Sequence, residues 1–214
     1  ALPGCQPLHH LHLIADARLG GLKARFCYTR QDEQRGLGHA VGCVRGFTGD
    51  EPFVVALGDS IMMYSKTPAP VERLIHCFEE TKAVAVIAFE EVRREDVKSY
   101  GIAKPDGEGE VFRLTDVIEK PSPAEAPSTM AIAARYVFSP EIFSAIEQTP
   151  PGKGGEIQLT DAIRLLIKQG RPVYGIRMRQ GEHRYDIGNF AAYFTAFVDT
   201  ALADPEYGPA LKEH

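Results

Sequence analysis

Basic residues are not in excess in this chain: 24 Lys and Arg stand against 29 Asp and Glu, for a formal net charge of −5. A broad positive face for a nucleic-acid polymer is therefore not expected. A single nucleotide remains open to it, since that needs only a few local cations and amides. The four cysteines, Cys5, Cys27, Cys43 and Cys77, are scattered, with no Cys-x-x-Cys pair. This fits neither zinc spacing nor a disulfide framework, and predicts reduced, packed thiols in a cytoplasmic protein. No apolar run approaches a membrane span, and the first residues lack a signal-peptide pattern. Repeats, low-complexity tracts and linkers are missing too. With 214 residues, 44% of them apolar, the chain can bury a real core, and residues 1–214 read as a single domain.

What is present alternates between strand and helix signals. Pro7 to Arg18 carries Leu8, Leu11, Ile14 and Ala15 near helical spacing and stops at Gly20-Gly21. His9, His10 and His12 lie on that segment without another ligand nearby, so a polar helix face explains them. Ala24 to Thr29 alternates like a strand, and His39 to Val44 starts a helix. Phe53 to Leu57 reads as the central strand, buried on both faces. Val71–Thr81 is an amphipathic helix and Ala83–Phe89 a second buried strand. Tyr100–Lys104 and Glu110–Leu114 flank Pro105-Asp106-Gly107, a hairpin with its turn glycine. Further strands are expected at Val117–Pro121, Ala131–Phe138 and Val173–Met178. Helices are expected after Ser139-Pro140, over Thr160–Lys168 and over the apolar Tyr193–Leu202. This pattern predicts an α/β domain with a mostly parallel sheet.

Five stretches could carry chemistry, and each has a plainer structural reading. Leu57-Gly58-Asp59 ends an apolar run at the rim where ligands of open parallel sheets gather. Gly58 would allow a turn or a close ligand, and Asp59 offers a hard oxygen to Mg²⁺ carrying phosphates. An Asp in a turn is the alternative. Gln31 and the loop Gly36-Leu37-Gly38 precede a helix, where backbone N–H groups could meet an anion or a base edge. The third glycine of the dinucleotide fingerprint is absent. In Glu119-Lys120-Pro121 the proline should hold Lys120 extended, sending the acid and the cation to opposite sides of a strand unless a bulge intervenes. In Gly154 to Asp161, Glu156 could meet hydroxyls while Thr160 or its neighbour caps a helix. Tyr185-Asp186-Ile187-Gly188-Asn189 could bring a second carboxylate to the same metal, or form an Asx-turn.

Taken in order, these motifs resemble a known family. Gln31 with Gly36-Leu37-Gly38-His39-Ala40-Val41, Leu57-Gly58-Asp59, Ser99-Tyr100-Gly101-Ile102, Ile118-Glu119-Lys120-Pro121, Gly155 to Ile163 and Tyr185 to Asn189 occur in the same succession in bacterial UTP–glucose-1-phosphate uridylyltransferases. The resemblance runs from about Ala24 to the end. It implies a three-layer αβα nucleotide-diphospho-sugar transferase fold, Rossmann-like, with a mixed, mostly parallel sheet. It also implies the conversion of UTP and glucose 1-phosphate to UDP-glucose and pyrophosphate. By position, Gln31 and Gly36 would hold the uracil edge, and Asp59 and Asp186 would bind Mg²⁺. Gly101, Glu119 and Glu156 would face the glucose, Lys120 the phosphates, and Tyr100 would wall the sugar pocket. A cytoplasmic homo-oligomer, dimer or tetramer, is implied as well.

The chain also departs from the family. Its glycine-rich phosphate loop, GxGTRxxPxTK, has no counterpart here, so the fold is expected to be N-terminally incomplete. Ala133-Ala134 stands where the family usually has Val-Gly, and Thr129 where it often has Asn. Two alternatives follow: a thymidylyltransferase or other sugar-1-phosphate nucleotidyltransferase, and a non-catalytic nucleotide-sugar-binding regulatory module.

Overall fold

The computed structural model describes residues 27–64 and 67–213. The helix expected over Pro7–Arg18 and the start of the Ala24 strand lie outside them; residues 27–29 are irregular. The described elements are α1 (Leu37–Gly42), α2 (Arg45–Thr48), β1 (Phe53–Ala56), β2 (Ser60–Met63), α3 (Pro70–Thr81) and β3 (Ala85–Glu91). After a 3₁₀ turn come β4 (Gly101–Asp106), β5 (Val111–Glu119), β6 (Met130–Phe138) and α4 (Glu141–Gln148). The chain ends through α5 (Leu159–Lys168), β7 (Val173–Arg177), β8 (His183–Asp186), α6 (Phe190–Ala203) and α7 (Gly208–Leu211).

Six strands form one sheet in the order β1-β6-β3-β7-β5-β4. The sheet is mixed, as expected, but it is not mostly parallel: among the described residues only β3 and β7 pair in parallel. The reason is β6, which runs against both of its neighbours, β1 and β3. Those neighbours still share a direction, so an α/β pattern can arise without parallel ladders.

Among the described strands the centre of the sheet is β3, and Phe53–Ala56 stands at one end of the order. Ala85, Ile87 and Phe89 enter the core beneath α4 and α5, while Val86 and Ala88 pack on the α3 side with Leu74 and Cys77. A strand covered on both faces needs apolar residues at every position, which is why this run lacks alternation. By contrast β1 alternates, with Val54 41% exposed. These two packed faces make the three layers.

The expected hairpin is β4–β5, turning through Gly107 at φ 100°. Its second strand is longer than expected and absorbs Val117–Glu119. One further pair, Ile102 with Ala131, ties β4 to the start of β6 and curls the hairpin back toward the sheet. A small ribbon went unread: β2 and β8 pair antiparallel, with Ser60 opposite Asp186. Four-residue strands leave too few alternations to be recognised.

Two local details follow from capping physics. Pro70 opens α3, and the Glu72 carboxylate accepts the Ala69 N–H at 2.8 Å. Asn189 caps α6 by accepting the Ala192 N–H at 3.0 Å. The α6 helix is apolar as expected, yet Phe190, Phe194 and Phe197 stand exposed. Cys27 and Cys77 are free thiols. Cys43 is disulfide-bonded, which corrects the expectation of reduced cysteines throughout. Pairing depends on proximity in space, and sequence spacing does not limit it. No helix among the described residues is long and apolar enough to cross a membrane.

Candidate active site

Two distant loops dock to make one wall. The Gly38 N–H donates to the Ile157 carbonyl at 2.9 Å, and the Ile157 N–H donates to the Arg35 carbonyl at 2.8 Å. Gly36 permits this approach: its φ is 92°, and a Cβ there would come within 2.8 Å of Glu156 Cβ and of the Ile157 carbonyl. The glycine loop and the Glu156 segment, over a hundred residues apart, are thereby joined. Gln31 sits against the same loop, donating to the Gly36 carbonyl at 3.2 Å.

Beside this wall opens a cavity of about 340 Å³. Asp59, Tyr100, Gly101, Glu119, Lys120, Glu156 and Asp186 all line it. Seven of the nine expected site residues are thus brought together. Gln31 and Gly36 stand outside the lining; Gly36 directly precedes Leu37, which belongs to it, and Gln31 is bonded to the Gly36 carbonyl.

The two aspartates share a backbone frame. Ile187 N–H donates to the Asp59 carbonyl at 2.8 Å, closing the end of the β2–β8 ribbon. Behind the loop, Arg135 donates to the Ser60 carbonyl at 2.7 Å and to the Leu57 carbonyl at 3.3 Å. The Asx contact considered from sequence is also present, since Asp186 Oδ1 accepts the Gly188 N–H at 3.2 Å. At Gly58 the backbone has no unusual φ, and a Cβ would meet no atom within 4 Å. The turn therefore does not require glycine.

Lys120 differs from expectation. Its φ is 45°, so the chain leaves β5 through a left-handed residue despite Pro121. The preference of a pre-proline residue for extended backbone is a bias of modest size, overridden here. As a result Lys120 and Glu119 do not diverge but line one cavity, with Nζ 3.6 Å from Oε1. Thr160 likewise does not cap α5. Gln158 holds that position, and Thr160 is buried at the cavity wall, where a Cβ on Gly101 would lie 3.0 Å from its hydroxyl.

Sequence reading missed Arg184. Its guanidinium is buried in the lining, ion-paired with Glu90, 3.6 Å from Asp186 and 5.0 Å over the Tyr100 ring. A lone arginine carries no motif, and its partner is 94 residues away. Burial pushes the Glu90 carboxyl up, with Arg184 opposing that shift. Tyr136, another missed lining residue, is pushed up by burial and then by Glu119, so its hydroxyl stays protonated. Ser60 Oγ is buried in the same wall without a hydrogen-bond partner among the described residues.

The chain belongs to the nucleotidyl transferase family, whose model matches it over residues 10–202. Within the family its relatives are more particular. It is 44% identical over 202 residues to the UTP–glucose-1-phosphate uridylyltransferase YngB of Bacillus subtilis, covering 94% of this chain and 64% of that protein. It is 38% identical to the enzyme of that function from Pseudomonas aeruginosa, covering 80% and 60%. A solved UDP-glucose pyrophosphorylase complexed with UDP-glucose superposes with a TM-score of 0.76 at 33% identity, over 82% of this chain and 66% of that one. A UTP-bound UGPase from Acinetobacter baumannii gives 0.76 at 31%, over 85% and 61%. The chain spans just under two thirds of the length of these curated relatives.

Proposed function

We propose that this chain transfers a uridylyl group from UTP to glucose 1-phosphate, giving UDP-glucose and pyrophosphate. One observation carries the reading: residues drawn from four separate motifs, Asp59, Glu119 with Lys120, Glu156 and Asp186, line a single cavity. The relatives from Bacillus subtilis and Pseudomonas aeruginosa, both named UTP–glucose-1-phosphate uridylyltransferases, support this reading.

A phosphate monoester is already ionised at neutral pH, so its oxygen can attack the α-phosphorus of UTP without a general base. A new P–O bond forms there, and the bond to the β-phosphate breaks as pyrophosphate departs. Catalysis then consists of alignment and charge neutralisation. Lys120 would meet phosphate oxygens, while Glu119 and Glu156 accept hydrogen bonds from the hexose. Tyr100 and Gly101 shape the sugar wall, and Gln31 with Gly36 reads the base.

Mg²⁺ fits the donor set. Asp59 and Asp186 are hard oxygen donors on one wall, and the unpartnered Ser60 hydroxyl lies buried beside them. No cluster of three or more ligating side chains occurs among the described residues. An ion that keeps waters and phosphates as its other ligands suits such a sparse site. When bound it would neutralise phosphate charge. The exposed aromatic face of α6 supports a homo-oligomer.

The test is release of pyrophosphate from UTP and glucose 1-phosphate, with dTTP run in parallel. Asp59→Ala should lower turnover about a hundredfold or more. Near-normal turnover in that variant would overturn the assignment, and faster turnover with dTTP would move it to a thymidylyltransferase.

A further inference from the structure

We infer that His39 is a positioning residue that locks the Gln31 amide so that it reads a base bearing an N3–H; this rests on the proposed role of Gln31 at the uracil edge. His39 is on the first turn of α1 and only 1% exposed. Its Nδ1 lies 2.7 Å from Gln31 Nε2. The same Nε2 donates to the Gly36 carbonyl at 3.2 Å.

These two contacts fix the amide's orientation. A backbone carbonyl only accepts, so the NH₂ end of Gln31 must face Gly36. Its second proton then points to His39 Nδ1, which must be the unprotonated nitrogen of the ring. His39 is thereby the Nε2–H tautomer. Both Nε2 protons are engaged, and Oε1 is what Gln31 has left to offer a ligand.

An unconstrained glutamine reads either sense of base edge by flipping its amide. A locked one reads a single sense. Oε1 accepts the N3–H of uracil or thymine, whereas cytosine presents a lone pair at N3 and would set acceptor against acceptor. A mismatch of that kind leaves polar groups unpaired and discriminates about 10- to 100-fold. The lock does not sense the C5 methyl, so it separates uracil from cytosine and leaves thymine alone.

The experiment is calorimetric titration of the full chain with UDP-glucose and CDP-glucose, for wild type, His39→Leu and His39→Asn. Wild type should prefer UDP-glucose by about 10- to 100-fold. His39→Leu should lose most of that ratio, and His39→Asn, whose Oδ1 can accept in place of Nδ1, should restore much of it. A folded His39→Leu protein that keeps the full ratio would overturn the inference. ¹⁵N NMR of the wild-type histidine gives an independent reading that needs no variant: a protonated Nδ1 would overturn it equally. Wild type that binds UDP-glucose tightly with no lock effect refutes only the role of His39. Wild type that binds neither sugar nucleotide refutes the reading of the whole site, and the inference with it.

Discussion

The Ile187 N–H donates to the carbonyl of Asp59 at 2.8 Å, so the residue after one acid is pinned to the backbone of the other. Across the same ribbon Ser60 stands opposite Asp186. Two side chains more than 120 positions apart in sequence are held in one frame by main-chain bonds that no substitution of the acids themselves would remove.

If both acids serve one ion, their losses should not add. Asp59→Asn and Asp186→Asn should each reduce turnover strongly, and the double variant should be little worse than the weaker single. Independent roles would multiply the two losses. A double-mutant cycle on turnover, with the apparent Mg²⁺ requirement measured for each protein, distinguishes the two.

Ala134 sits in the left-handed region at φ 55°, at the interruption of the β3–β6 ladder. A side-chain-bearing residue loses about 1–2 kcal/mol there. Glycine relieves this but gives back part of the gain through the unfolded chain. Ala134→Gly should therefore stabilise the fold by up to about 1 kcal/mol. Urea unfolding measures it, and a destabilised variant would contradict the strain.

Asp116 anchors Arg164 of α5 through two hydrogen bonds of 2.7 Å. Burial raises its carboxyl, but those bonds and the Val117 N–H outweigh it and hold the group below the ordinary carboxylate range. A lowered folded-state value means the native protein binds fewer protons than the unfolded chain. Stability from this group is present above the unfolded value of about 4 and is lost as pH falls through the folded one. Asp116→Asn should flatten the fall in unfolding free energy between about pH 5 and pH 2. An unchanged slope would assign the acid sensitivity elsewhere, with Glu110 held low by Arg179 and Arg73 despite its partial burial.

Much of the fold was legible because local chemistry decided it. The reversal at Gly107 was legible from its glycine, although Pro105 and Asp106 belong to the strand before it, and the seven apolar residues Ala83–Phe89 had to be covered on both sides. Rank within the sheet was not legible. Phe53–Leu57 and Ala83–Phe89 are both apolar, and nothing in either says which is flanked on both sides among the described strands. The acids, the Glu119-Lys120 pair and Glu156 were found as motifs and do meet in one cleft. Arg184 and Tyr136 were not found, and Thr160 was read only as a possible cap, because their surroundings come from tertiary contacts between elements far apart in sequence. Lys120 was misread where a statistical bias of its neighbour met a tertiary demand.

The 3.6 Å pair of Lys120 and Glu119 has a consequence for what the cleft admits. A molecule offering only an anion would draw the ammonium away and strand a carboxylate. One offering only hydroxyls would strand the ammonium. A compound with both groups on neighbouring atoms, as in a phosphorylated sugar, would satisfy each partner as it separates them, so the resting cleft is biased against any compound that carries only one of the two.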